Sequence, residues 1–271
     1  VLQDERVQLV SVVTPTGTHI DIGTRVLDSG RHLLLEKPLD VDLARALGVA
    51  SVGWWRSQAY YDSAPWRGTW AQDGGGALMN QGIHTLDLLL WFLGEPVRVT
   101  ASSRRIAHQR IEVEDTLAAV VEFSSGALAT VHATTAAYPG LAARLQIMGT
   151  TGSAIIEHEG LSYLHLANNT HVGDMGLHGA GNQVIAPNHA CHRDATTNAS
   201  GHARQFADLE DAVRSGGSPL ATIADAVKTL ATIHAIYRAA STGVAVELAE
   251  VIASPTFSPY RVGAAEHHVQ R

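Results

Sequence analysis

The sequence predicts a chain of mixed class, α/β followed by α+β. Residues 1–50 read as a partial parallel βαβ unit, and residues 51–271 as an α/β domain with a large, mostly antiparallel open sheet. Three observations carry this. Two aliphatic runs flank a helical pattern near the start. A glycine-rich bend opens one helix with an apolar and a polar stripe at 74–94. Short strand-like segments with hairpin-sized links follow.

Residues 7–13, Val-Gln-Leu-Val-Ser-Val-Val, form the nearly continuous run of a strand buried on both faces. Thr14-Pro15-Thr16-Gly17 is turn chemistry, with Thr16 or Thr18 as a helix N-cap. Residues 19–29 carry Ile20, Thr24 and Leu27 on one helical face, and Gly30 stops the helix. Residues 32–35 are a second buried strand ending in Glu36-Lys37-Pro38. Strand, helix and strand in so short a span make a parallel unit. Ligands of parallel sheets sit beyond the carboxyl ends of the strands, where Thr14-Pro15 and Glu36-Lys37-Pro38 fall.

The second part opens with a strand at 51–58 and a loop at 59–72 holding Tyr60, Tyr61, Trp66, Arg67 and Trp70. Most of those rings are expected to pack loop against sheet. Arg56 is open between facing substrate and forming a surface ion pair. In the helix at 74–94, Met79, Ile83, Leu86, Leu90 and Leu93 recur at intervals of three and four and predict a buried stripe. Asn80, His84 and Asp87 form a polar stripe beside it. Gly94 is placed to end the helix in the left-handed conformation, with Pro96 beyond it.

Strands are expected at 97–102, 116–123, 127–134, 144–148, 153–157 and 161–166, with Ser124-Ser125-Gly126 and Gly149-Thr150-Thr151-Gly152 as hairpin links. Helices would cover one sheet face. The open face predicts a homodimer or homotetramer. Residues 168–201 are polar and carry His171, His178, His189 and His192 beside Cys191. His189-Ala190-Cys191-His192 lacks zinc spacing and a second ligand pair, so no metal is expected and the segment reads as a mobile loop near the substrate mouth. Helices at 202–215 and 222–242 close the chain; Leu220, Ile223, Val227, Leu230, Ile233 and Ile236 give the second an apolar stripe, and both are expected to pack across the two parts.

Composition bounds the function. Of 271 residues 45% are hydrophobic and 17% charged, as in an ordinary globular protein. A net charge of -7 argues against nucleic acid and against a membrane surface as partner. The single cysteine excludes an internal disulfide framework and fits a reducing cytosol, so a cytoplasmic location is expected. No apolar run reaches membrane-spanning length and no signal peptide is evident. The chain opens on Val1 and not Met, and so reads as beginning partway through something longer.

Taken alone, a helical histidine such as His84 is more often structural than catalytic. However, Thr14-Pro15-Thr16-Gly17-Thr18-His19, then Glu36-Lys37-Pro38-Leu39, then Trp66-Arg67, then the glycine-rich helix with Asn80-Gln81-Gly82-Ile83-His84 occur in an order that resembles the Gfo/Idh/MocA family of NAD(P)-dependent sugar and polyol oxidoreductases. The likeness extends to the closing helices, over 201–248. It implies a Rossmann-like first part, NAD or NADP as cofactor, and a sugar, sugar derivative or cyclitol as substrate. It also implies His84 as general base and Lys37 as the residue that orients the hydroxyl and contacts the nicotinamide ribose. Thr14, Pro15, His19, Glu36, Lys37, Trp66 and Arg67 are implied as cofactor-side contacts, and Asn80, Arg67, Tyr61 and Asp87 as substrate-binding.

The sequence departs from the family pattern in two places. No G-x-G-x-x-G turn follows a strand, and only residues 39–52 separate Pro38 from Gly53-Trp54-Trp55. The dinucleotide part therefore reads as incomplete at its start and internally. Asn80 stands where many relatives carry Asp, which leaves it substrate positioning and no acid–base role. The alternative is a catalytically silent homologue acting as an oligomerising or sugar-binding module.

Overall fold

The structure, a computed structural model, describes residues 46–157, 160–167, 179–183 and 195–254, together with residues 4, 6–7, 9–12, 22, 25–26, 29–30 and 32–35. Near the start, β1 (Leu9–Val12) and β2 (His32–Leu35) pair in parallel, in register from Leu9 against His32 to Val12 against Leu35. Between them Ile22, Arg25 and Val26 are helical, Val26 is buried, and Gly30 takes φ 73°, the positive value expected of a helix stop. The parallel βαβ reading holds over these residues.

The main body is an eight-stranded sheet. Its strands are β3 (Leu47–Gly53), β4 (Pro96–Arg104), β5 (Thr116–Phe123), β6 (Leu128–Thr134), β7 (Arg144–Gly149), β8 (Gly152–Glu157), β9 (Gly160–Leu166) and the short β10 (Val246–Glu247). Their order is β10-β4-β5-β6-β3-β7-β8-β9. All neighbours are antiparallel except β3 and β6, which run parallel in the middle. The strand at 51–58 is corrected: β3 begins at Leu47 and ends at Gly53. The chain then turns at Ser57, whose side chain accepts the Tyr60 amide and caps α1 (Gln58–Asp62), a short helix where a loop was expected.

Helix α2 (Ile83–Leu93) lies across this sheet. Its close approach needs a bare backbone at Gly48, where a Cβ would stand 2.5 Å from Leu89 Cδ1 and 2.7 Å from Leu93 Cδ1. The expected single helix is divided, because Leu78–Gly82 forms a wider π-helical turn ahead of α2. Leu78, Met79, Leu86, Leu89, Leu90 and Leu93 are buried, while Ile83, expected in the stripe, is only partly so. Gly94 takes φ 89° with ψ -135°. That is a positive-φ conformation other than the expected left-handed one, and it turns the chain straight into β4 at Pro96.

Helix α3 (Ala195–Ser215) begins earlier than expected, and α4 (Ile223–Thr242) starts where expected. In α4 a capping box joins Thr222 and Asp225, and Gly243 ends the helix in the left-handed region. The predicted apolar stripe holds only in its later half. Ile233 and Ile236 are buried with Ala231, Ala235 and Ala239, whereas Leu220 and Ile223 are 80% and 74% exposed. Helix α4 packs on β4, α2, β10 and the short α5 (Leu248–Ile252). Among the described residues no helix is long and apolar enough to cross a membrane, and no cluster of three or more His, Cys, Asp or Glu could hold a metal. Segments 168–178 and 184–194, with His171, His178, His189, Cys191 and His192, lie outside the described residues.

Candidate active site

The site is organised at the start of the π-helical turn, where a helix leaves backbone N–H groups without internal partners. Glu114, just ahead of β5, meets them. Its carboxyl accepts the amides of Gly76 and Leu78 at 3.0 Å each and the Tyr237 hydroxyl at 3.1 Å, and its own carbonyl accepts the Ala77 amide at 3.1 Å. Tyr237, from α4, also accepts from the Gly76 amide at 3.2 Å. Gly76 must be glycine here, because a Cβ would overlap the Glu114 carbonyl oxygen. Burial pushes the Glu114 carboxyl up from 4.5 to about 7, against the lowering effect of these hydrogen bonds. Tyr237 is raised well above the usual phenol value, first by burial and then by the Glu114 charge.

Asp115 ties down the next loop. It accepts the amides of Ile106, Ala107 and His108 at 2.9, 2.9 and 3.0 Å, and its Oδ2 meets His108 Nδ1 at 3.0 Å. Burial alone would raise its pKa, but those donors hold it below the usual carboxylate range. His108 Nε2 contacts the Arg56 carbonyl oxygen at 2.8 Å, linking this loop to the segment after β3. Sequence reasoning missed Glu114, Asp115, His108 and Tyr237. The signal was the adjacent pair Glu114-Asp115 at the mouth of β5, two carboxyl groups beside a strand start in a chain whose glycine-opened helix needs acceptors for its first amides.

Asn80 and His84 are exposed, one turn apart, on the surface that this clamp positions. His84 makes no hydrogen bond among the described residues, so its imidazole is free to meet a ligand. The Asn80 amide donates to the carbonyl oxygens of Gly75 at 2.7 Å and Gly76 at 3.4 Å, which leaves its own carbonyl oxygen as an acceptor. A shallow depression is lined by Tyr60, Tyr61, Gly75, Gly76, Asn80 and Gln81.

Two residues placed in the substrate set have other partners. The Tyr61 ring lines the depression, but its hydroxyl is buried and pairs with Thr135 Oγ1 at 2.8 Å. Asp87 accepts the Thr229 hydroxyl at 2.6 Å, which makes it a tie between α2 and α4. Trp66 and Arg67 stay together at the surface. The Arg67 guanidinium lies 4.5 Å from the Trp66 ring centroid and 4.2 Å from that of Tyr60, contacts worth about 0.5–1 kcal/mol each. Thr14, Pro15, His19, Glu36 and Lys37 lie outside the described residues.

Comparison with known proteins agrees with this architecture. Residues 46–155 match the GFO/IDH/MocA C-terminal domain, and residues 1–51 match the oxidoreductase family with an NAD-binding Rossmann fold. The scyllo-inositol 2-dehydrogenase (NAD(+)) of Bacillus subtilis (strain 168) is 23% identical over 269 residues, covering 85% of this chain and 74% of that protein. The rhizopine catabolism protein MocA of Rhizobium meliloti is 27% identical over 182 residues, covering 54% of this chain and 57% of its own length. Among solved structures, the WlbA dehydrogenase from Bordetella pertussis, in complex with NADH and UDP-GlcNAcA, superposes with a TM-score of 0.59 at 25% identity. That match covers 91% of this chain and 81% of WlbA.

Because Glu114 titrates at about 7 when folded and at 4.5 when its surroundings are lost, the folded state binds the extra proton between those values. Its contribution to stability is fully present below pH 4.5 and is lost as pH rises through 7. Glu114→Gln, which keeps the neutral shape, is expected to flatten that part of a melting-temperature profile. A variant whose profile stays parallel to that of the parent would contradict the assignment.

Proposed function

Because this chain belongs to the Gfo/Idh/MocA oxidoreductase family, we propose that it transfers a hydride between a hydroxyl of a sugar, sugar derivative or cyclitol and NAD(P). The observation that carries the reading is the exposed imidazole of His84. It is unbonded among the described residues, one turn from Asn80, on a helix anchored at its start by buried Glu114. Residues 1–50 serve the dinucleotide and residues 51–271 the substrate and assembly, with β3 beginning at Leu47 just ahead of that join.

Two observations suit a dinucleotide. The parallel pair β1 and β2 is the sheet type whose carboxyl edge takes such ligands. Residues 1–51 also match the oxidoreductase family with an NAD-binding Rossmann fold. Bound nicotinamide supplies the hydride acceptor. The chain's own residues do the remaining work. His84 takes the hydroxyl proton as general base, a task suited to an imidazole, which can accept and release a proton near neutral pH. Asn80 positions a neighbouring hydroxyl through its carbonyl oxygen. Lys37 orients the reacting hydroxyl, and Trp66 with Arg67 borders the nicotinamide side. Thr14, Pro15, His19 and Glu36 complete the cofactor contacts of this reading, and its setting is cytoplasmic.

The open sheet face favours self-association. Leu47 and Leu128 are register partners, 42% and 47% exposed, and Val120 is exposed nearby. The reading accordingly includes a homodimer or homotetramer through that face. Light scattering of the purified chain is expected to report one of these, and a monomer at micromolar concentration would remove that part of the proposal. A catalytically silent assembly module, the second reading, rests on the same face.

The deciding experiment is a titration with NADH and NADPH, following energy transfer from the five tryptophans to the reduced nicotinamide. Saturable binding is expected, and His84→Ala is expected to keep that binding while lowering turnover by about 10²–10⁴-fold. A folded sample that binds neither cofactor would overturn the oxidoreductase reading, and unchanged turnover in His84→Ala would overturn the role of His84.

A further inference from the structure

Resting on the sugar-oxidoreductase reading, we infer that Arg56 and Arg67 form a site for an anionic group, a carboxylate or a phosphate, carried by the substrate. The two guanidinium groups share one aromatic ring. Arg67 lies 4.2 Å from the Tyr60 ring centroid and Arg56 lies 5.1 Å from it. Trp66 flanks Arg67 at 4.5 Å, and Trp54 flanks Arg56 at 5.4 Å. This aromatic packing holds both forks in place and leaves their in-plane N–H edges to be satisfied elsewhere.

Nothing described satisfies them. Neither arginine forms an ion pair among the described residues, and the Nε of each is buried without a hydrogen-bond partner there. The one hydrogen bond of the Arg56 side chain, from Nη1 to the Trp55 carbonyl oxygen, is long at 3.5 Å. The carboxylates on the neighbouring segments are already taken. Asp62 pairs with Arg110 at 2.6 Å and also accepts from Gln58. Asp73 accepts the Gly68 amide at 2.6 Å, and Glu112 accepts the Trp70 amide at 2.9 Å. Glu114 and Asp115 are held by the donors of the helix start and the 106–108 loop. In a chain of net charge -7, five local carboxylates bypass two half-buried cations.

Half-burial without a counter-charge costs solvation that a bound anion would restore, and a planar fork matches the two oxygens of a carboxylate or phosphate. The location selects the substrate. Tyr60, between the two arginines in the stacking scheme, lines the same depression as Asn80. The arginines do not line that depression themselves; Tyr60 connects them to it, so an anionic group at the arginines would extend from a sugar held near Asn80. Sugar acids and sugar phosphates have that combination of groups, whereas neutral sugars and cyclitols do not.

The test is an equilibrium titration of the full chain without cofactor, at constant ionic strength, following intrinsic tryptophan fluorescence. The probes are D-glucuronate, D-glucose 6-phosphate and neutral D-glucose. One or both anions are expected to saturate at an apparent Kd about tenfold or more below that of glucose. Which of the two binds more tightly separates a carboxylate site from a phosphate site. Arg56→Gln and Arg67→Gln are each expected to weaken the anions by about tenfold while leaving glucose unchanged; surface Arg214→Gln should change nothing. Arg56→Lys and Arg67→Lys keep the charge without the fork, guard against loss of fold, and should fall between parent and Gln variants. The inference is overturned if both anions bind no better than glucose, or if the arginine variants bind them like the parent. Because NADH is absent here, this failure is read separately from failure of the cofactor titration.

Discussion

The arrangement of this protein depends on one buried carboxyl. Glu114 is buried, 5% exposed, and its oxygens are placed where a helix start offers unpaired amides. The interaction solves two problems at once, since each partner would be costly to bury alone. It also joins three parts of the chain: the glycine bend at 74–76, the mouth of β5, and α4 through Tyr237. Gly75 and Gly76 are required by the same contact. At Gly75 a Cβ would strike the Tyr237 hydroxyl, and at Gly76 it would strike Glu114 itself. The direction in which α2 leaves the bend, and hence where Asn80 and His84 point, follows from this clamp.

The adjacent pair Glu114 and Asp115 divides its labour. One carboxyl serves the helix that carries the imidazole, and the other serves the loop whose His108 reaches the Arg56 carbonyl oxygen. The helix that carries Asn80 and His84 and the backbone at Arg56 are thus held by two adjacent residues at the mouth of β5. The sheet behind them supplies rigidity: Leu86, Leu89, Leu90 and Leu93 pack on Ala50, Ala129, Val131 and Leu145 in one continuous core. A site carried on such elements is held more tightly than one carried on free loops.

Much of this was legible in the sequence. Strands β5 to β9 follow alternation and hairpin punctuation that local residues alone determine, and Gly30 ends its helix as its type requires. What escaped depended on distant partners. The early start of β3 at Leu47 comes from pairing with β6 and β7, which no local pattern announces. The π-helical turn at Leu78–Gly82 coincides with the Glu114 clamp, contributed from more than thirty residues downstream. Asp87 looked like a site residue by helical spacing, but Thr229 of another helix claims it. The free state of Arg56 and Arg67 was equally invisible, since it shows only when every nearby carboxylate has been assigned.

The central claim is that Glu114 holds the helix bearing Asn80 and His84 in place. Deuterium uptake by segment 74–84, compared between the parent chain and Glu114→Ala, tests it most directly. The account predicts a localised rise in uptake across 74–84, with the core amides of α2 beyond Leu86 still protected. Unchanged uptake in that segment, or a rise spread evenly over the sheet, would contradict it.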